Sequence, residues 1–472
     1  MAADEKYGLG NKLAYGLGNI TDMVAYQTFT LLIFVFYYSV VGLDAFELMI
    51  GFVIWSIWNS INDPILGLIS DKTNVQMGRR KFWIIIALVP ISLIMIFLWT
   101  PPLGNRFAPN NALYNWLYFL IVIVLFDFFY TMFSLNFTAL FPEMYIDQSD
   151  RNEAGLIRRV MTILGLIIAF ILPIAIIGDA KDIANLYNGR YFIAGLTNCL
   201  IVFISLLIAI KFAVKERILF KKDPLKNPGF TDSLKITLKN KTFLIFVAGN
   251  LCNWYVYGLI PTIILLYGTH VLGTTDMGSS ILLLVGFLSA AGLMPLWKKI
   301  GEMKGNARGM MISFFIWGIS FIPFLFIFGA TITNYIITML VMVLVGFGIS
   351  GSIYYGDLVI SDMIDEDEVA TGVRREGAYY GVNALIIRLA TIFVMITIAM
   401  VFSGTGWTEY QPTTQDIAQL RLGLMLLMSI FPSAAAFIGS FCLYKFPLKD
   451  EKLSKMKEEL NKLHATKSGK TP

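Results

Sequence analysis

The sequence predicts an all-α polytopic membrane protein of twelve transmembrane helices, arranged as two bundles of six. Three observations carry this. The 472-residue chain is 57% hydrophobic and only 15% charged, with a mean hydropathy of +0.69, too little polar surface for a soluble protein of this length. Its apolar residues fall in long blocks, and about 20 such residues span a bilayer as a helix. The segments between blocks alternate in charge, as the two sides of a membrane require.

In chain order, spans are expected near 15–41, 45–69, 82–100, 113–141, 156–178 and 190–214, then 243–268, 277–297, 310–330, 332–360, 377–402 and 419–446. MAADEKYGLGNK lacks a short apolar core followed by a small-residue cleavage site, so the first span is expected to remain in the mature chain. Basic residues follow the second span (Lys72, Arg79, Arg80, Lys81), the sixth (Lys215 to Lys241) and the eighth (Lys298, Lys299, Lys304, Arg308), and a Lys-rich tail closes the chain. The segments 42–44, 101–112 and 403–418 carry almost no Lys or Arg. Both termini are therefore expected in the cytoplasm.

The chain divides into a first bundle (1–214), a basic connector (215–242), a second bundle (243–446) and a charged tail (447–472). The connector's second half reads as a basic amphipathic helix on the inner membrane surface. The tail reads as a charged, solvated helix that frays. SDKTNVQMGRRK after span 2 and WKKIGEMKGNARG after span 8 both place basic residues and glycine at a tight turn, a faint repeat between the halves. That layout is the two-bundle plan of secondary transporters, with a site near the midplane. Cys199, Cys252 and Cys442 are scattered in apolar segments, which argues against a disulfide framework or a metal cluster. The net charge of +5 gives no reason to expect nucleic acid. No nucleophile–base pair is visible, and the two histidines sit near a loop and in the tail, so an enzyme is not expected.

Charged groups in hydrocarbon are costly and mark functional sites. On span 2, Asn59, Asn62, Asp63 and Gly67 share one helix face, and Pro64 frees the carbonyl of Ser60. This face could ligate a small hard cation or carry a proton on Asp63; the alternative is a structural hydrogen-bond knot. Span 4 offers Asp127, Tyr130, Thr131, Ser134 and Asn136 as a second wall, or as ordinary packing. Arg158 and Arg159 open span 5. Arg388 lies deep in span 11 and needs a permanent counter-charge, for which Asp63 is the candidate. Asp22, Gln27, Asn250, Asn253, Tyr257 and Asn383 add hydrogen-bonding groups, and Trp254 and Tyr255 could stack on a sugar ring or face lipid. The acidic run Asp362, Asp365, Glu366, Asp367, Glu368 could close an inner gate against Arg158, Arg374 or Arg375. Asp71, Arg79, Arg80 and Glu376 are the other gate candidates.

NDPILGLISDKTNVQMGRRKFW at 62–83, FPEMYIDQSDRNEAGLIRR at 141–159 and TGVRREGAYYG at 371–381 together resemble the glycoside–pentoside–hexuronide:cation symporters of the major facilitator superfamily. YGLGN, FYYSVVG and LKNKTF fit as well, and the likeness runs through nearly the whole chain. The resemblance implies alternating-access symport of a sugar or glycoside, with lysophospholipid as the alternative cargo and a non-transporting receptor as a weaker one. It implies that Asp63, Asn62 and Thr131 match the cation site of the melibiose-permease branch, whose first span-2 carboxylate is Asn59 here. It matches Arg159 to the family arginine of span 5 and Arg388 to the family lysine of span 11. Ser134 and Met23 stand where sugar-binding aspartates are expected, with Asp22 one place away. The expected ion is a proton or sodium, with Asp63 the candidate sodium ligand and no other cofactor. The expected setting is a monomer among plasma-membrane lipids.

Overall fold

The computed structural model describes residues 7–73, 75–102, 112–145, 147–215, 237–372, 375–411 and 417–467. Among these, twelve long helical segments appear in order. The first six are α1 (Leu9–Val35, continued by a wider turn Phe36–Val41), α2 (Ala45–Lys72), α3 (Arg79–Phe97), α4 (Ala112–Met144), α5 (Gln148–Ile177) and α6 (Arg190–Phe212). The second six are α7 (Lys241–Tyr267, continued by Gly268–Leu272), α8 (Asp276–Lys304), α9 (Asn306–Phe321), α10 (Ile332–Thr371), α11 (Glu376–Arg388 and Ala390–Gly404) and α12 (Ile417–Met428 and Ile430–Tyr444). A further helix, α13 (Asp450–Lys467), follows.

Eleven of the described helices are long and apolar enough to cross a membrane. The helix outside that set is α2, because Asn59, Asn62 and Asp63 interrupt its apolar run. Its start is nevertheless firmly specified. Asp44 accepts from Phe46 N–H and Glu47 reaches back to Asp44 N–H, a capping box that satisfies two otherwise orphaned donors.

The two halves repeat each other at their turns. α1 and α7 both end in a widened turn closed by a left-handed glycine, Gly42 (φ +81°) and Gly273 (φ +62°). Side chains would be strained there. The loops that echo in sequence also echo in structure: Gly78 (φ +103°) and Gly305 (φ +81°) each start the next helix. Within each half the helices pack side by side. Across the halves, α1 meets α7, α2 meets α11 and α5 meets α8.

Three expectations need correction. Span 10 does not stop near 360: α10 runs 40 residues, because residues 361–371 gain partners beyond the apolar stretch and stay helical to Gly372. The tail is not a freely solvated helix. α13 docks on the end of α10, where Lys457 bridges Asp362 and Asp365, Lys452 meets Glu366 and His464 meets Glu368, while Met456 and Leu460 are buried beneath. Span 5 begins at Gln148, where Asp147 caps it by accepting from Asp150 N–H. The amphipathic helix expected in the connector lies mostly outside the described residues.

Candidate functional site

The polar face of α2 meets α4, and the two helices run in the same direction through the first half. Thr131 donates to Asp63 Oδ1 at 3.0 Å. One turn earlier, Asn62 Nδ2 donates to Asp127 Oδ2 at 3.0 Å. Asn59 is 2% exposed and its side-chain oxygen has no partner. Toward the basic loop, Ser70 donates to Asn136, extending the seam. Ser60 bonds back to the carbonyl of Ser56, ahead of Pro64.

The second half reaches this seam through α11. Arg388 Nη2 donates to Asp63 Oδ2 at 2.7 Å, so a single carboxylate is shared between Thr131 of α4 and Arg388 of α11. Arg388 ends the first stretch of α11, and its backbone carbonyl accepts from Ser56 of α2 at 2.6 Å. Both backbone and side chain of one residue thus bind the first half. Among the described residues no group of three His, Cys, Asp or Glu side chains converges. The oxygen set here is two carboxylates with amides and a hydroxyl, suited to a monovalent ion.

The candidate solute groups line the same interface. Tyr130 donates to Asp22 at 2.7 Å. Ser134 is half-buried, three residues past Thr131. Asn253 donates to Asn250, which donates to Asn383 at 3.0 Å, an amide chain linking α7 to α11. Arg159 and Trp254 are exposed. Eleven residues at about 100° each place Arg159 on the α5 face of Phe170, whose ring meets Phe287 of the other half. Trp254 packs on Tyr257, which also meets Phe287. Arg159 therefore stands on a face that approaches the opposite half a few turns away, whereas the Trp254 contacts lie within the second half. A cavity of about 60 Å³ also lies between the halves, lined by Tyr26, Phe29, Trp55, Thr262 and Thr391 among others.

Of the gate candidates, Arg375 meets the acidic run as expected, through Asp367, while Arg158 does not. Arg158 donates to Asn19 and lies over the Phe141 ring, because its position on α5 faces α1 and not the second half. Arg79 and Arg80 meet Glu143 of α4, and Asp365 meets Lys457 of α13. Arg375 grips Asp367 with two hydrogen bonds at 2.7 and 2.8 Å. Each of these partners lies in the same half. Glu376 is exposed at the start of α11; Arg374 and the Asp71 side chain lie outside the described residues.

At the opposite end the halves are bound to each other. Lys181, in the α5–α6 loop, forms a buried ion pair with Asp276 at the start of α8. The Asp276 carboxylate also accepts from Ala180 N–H at 2.6 Å. Ala45 N–H donates to Thr408 at 2.8 Å, and Tyr38 donates to the Trp407 carbonyl. The sequence signal for this seal was a lysine between Asp179 and Asp182 in a short polar loop and an aspartate at a helix start. Neither stands inside an apolar block, where a charge would mark a functional site.

The chain matches the family described as MFS/sugar transport protein over residues 14–450. It is 20% identical to the sodium-dependent lysophosphatidylcholine symporter 1 of Mus musculus, covering 98% of this chain and 91% of that one. It is 24% identical to the raffinose carrier protein of Pediococcus pentosaceus, over 87% of this chain and 63% of the carrier. Among solved structures, a D-xylose–proton symporter superposes with a TM-score of 0.64 at 15% identity, covering 94% of this chain and 98% of that one.

Proposed function

The chain belongs to the MFS/sugar transport protein family, and from that premise we propose that it couples the entry of a sugar or glycoside to a cation by alternating access. It is a multi-pass membrane transporter and not an enzyme. The observation that carries the coupling mechanism is the Asp63–Arg388 pair, a charge contact between the halves at the level of the α2–α4 polar seam. A cation arriving among Asp63, Asn59, Asn62 and Thr131 competes with the guanidinium for Asp63. The released Arg388 is then free to bind solute hydroxyls or an anionic group. Asp22, Ser134, Asn253, Asn383, Arg159 and Trp254 are the proposed solute contacts, with Trp254 stacking on a sugar face.

The end carrying the basic loops and tail is the cytoplasmic one in this reading, with the protein a monomer in the plasma membrane. The coupling ion is its one cofactor. Arg79, Arg80, Arg158, Asp365 and Arg375, each held within its own half, become available to close the cleft when the halves rock. The likeness to the raffinose carrier supports a sugar. A second reading, an amphiphile as cargo, is favoured by the likeness to the lysophosphatidylcholine symporter over nearly the full chain and by the aromatic lining of the inter-half cavity.

Proteoliposomes given a sodium or proton gradient decide the matter. Accumulation of a glycoside is expected, with its loss in Asp63→Asn. Uptake indifferent to either gradient would overturn the coupling, and saturable lysophospholipid uptake without sugar uptake would move the cargo to the second reading.

A further inference from the structure

Within the polar seam one charge is uncommitted. Asp63 has Arg388 and Thr131 as donors. Asp127 is 3% exposed and receives its side-chain hydrogen bond from Asn62, a neutral amide. With both carboxylates ionised, two carboxylates and one guanidinium sum to one net negative charge in the middle of a membrane protein. An uncompensated buried charge is expensive, so the seam calls for one monovalent cation.

The geometry also says where that cation sits. Asp127 stands four residues before Thr131 on α4, as Asn59 stands four before Asp63 on α2. Since Thr131 touches Asp63, Asp127 and Asn59 are at the same depth, one turn further from the basic loop. In angle, Asn59 falls between Asn62 and Asp63 on the helix, both of which reach α4. Its buried side-chain oxygen, without a partner, is therefore aimed at the Asp127 level. An orphaned acceptor beside a carboxylate is a ligand pair for a hard cation, which takes oxygen donors.

We propose that Asp127 supplies the second carboxylate of the cation site, holding an alkali cation of the sodium class together with the Asn59 side-chain oxygen and Asp63. Asn62 positions Asp127 through its amide N–H. This rests on the symport reading above and deepens it. It moves Asp127 from the solute wall to the ion, and it makes the ion sodium or lithium. A proton would neutralise the same charge with no need of Asn59.

Purified full-length protein, without solute, is titrated with Na⁺ and Li⁺ against choline at constant ionic strength, following tryptophan fluorescence and melting. Saturable Na⁺ or Li⁺ responses are expected in the wild type. Asp127→Asn should weaken the apparent affinity about tenfold or more, and Asn59→Leu, which removes only the neutral oxygen, should weaken it less. The exchange Asn59→Asp with Asp127→Asn returns a carboxylate to the same depth and should recover most of the affinity. If Asp127→Asn fails to fold, the exchange variant and Asn59→Leu carry the test. Wild-type affinity in both Asn59→Leu and Asp127→Asn overturns the proposal. So does a wild type blind to Na⁺ and Li⁺ whose uptake runs on a proton gradient, a result that leaves symport standing. Absence of any gradient-driven uptake beside a Na⁺ response lost in Asp127→Asn would instead sink the symport reading and keep the site.

Discussion

Two cation–aspartate pairs tie the first half to the second, and their surroundings differ. Lys181 and Asp276 are 4% and 1% exposed, backed by the Ala180 N–H and by Thr269, whose hydroxyl donates to Asp276 at 3.3 Å. Arg388 and Asp63 are 30% and 20% exposed, with Thr131 as the remaining donor to Asp63. The first pair is dry and over-bonded, so separating it strands charge in a low-dielectric setting. The second is reached by water, so its partners can be exchanged for an ion. A similar ion pair thus serves as a latch in one place and a switch in the other. The difference lies in solvent access.

The comparison is tested hardest at the latch. Asp276→Ala leaves the buried Lys181 ammonium with only the exposed Asp179, at 3.3 Å, as counter-charge, and loss of the buried partner should cost up to about 3–5 kcal/mol. A large fall in melting temperature is expected. Alkylation of a cysteine placed at the buried Phe402, in a variant lacking the native cysteines, should also become faster as the sealed end opens. Lys181→Met with Asp276→Leu fills the same space without charge and should restore most of the melting temperature. Unchanged melting and labelling in Asp276→Ala would show that backbone contacts such as Ala45–Thr408 close this end unaided.

At the switch the order of effects reverses. The partial exposure of Arg388 and Asp63 screens their attraction, so Arg388→Gln should cost only about 1 kcal/mol of stability. Its effect on uphill transport should be near-complete loss. A double-mutant cycle with Asp63→Asn, read by melting, should give a small coupling energy. A coupling as large as that between Lys181 and Asp276 would mean that both pairs are latches.

The sequence showed the switch and hid the latch for a physical reason. Asp63, Thr131 and Arg388 are rare polar residues inside apolar blocks, where helical spacing alone assigns them to faces, and the structure brings them into contact. The twelve helices were legible for the same reason: hydrocarbon demands length and apolarity. What could not be read was the relative depth of neighbouring helices. That register brings the Asn62 amide N–H to Asp127 on the neighbouring helix. Nor could spacing separate Arg158, which turns toward Asn19, from Arg159 on the cleft face. Lys181 and Asp276 lie at helix ends, where a charge is unremarkable until burial is known. The docking of α13 was hidden similarly, since a charged helix looks solvated unless its acidic counterpart is placed beside it.

That docking supplies the mildest test, a set of ion pairs more exposed than either inter-half pair. Lys457 is 42% exposed while bridging Asp362 and Asp365. Pairs of this kind contribute about 0.2–1 kcal/mol each, so Lys457→Ala should speed tryptic release of the tail slightly and leave the latch untouched. High salt should do the same, since exposed charges are screened. Burial by itself lowers the Lys457 ammonium, but hydrogen bonds from it to the two aspartates outweigh burial and hold it above its ordinary 10.5. A raised value in the folded state means the contribution is fully present below pH 10.5. It is lost only as pH climbs through the raised value. The difference in tail protection between wild type and Lys457→Ala should therefore stay constant from pH 7 to 10 and shrink above that. If it vanished already near neutrality, the bridge would not be what holds α13 down, and the buried Met456 and Leu460 would carry the docking instead.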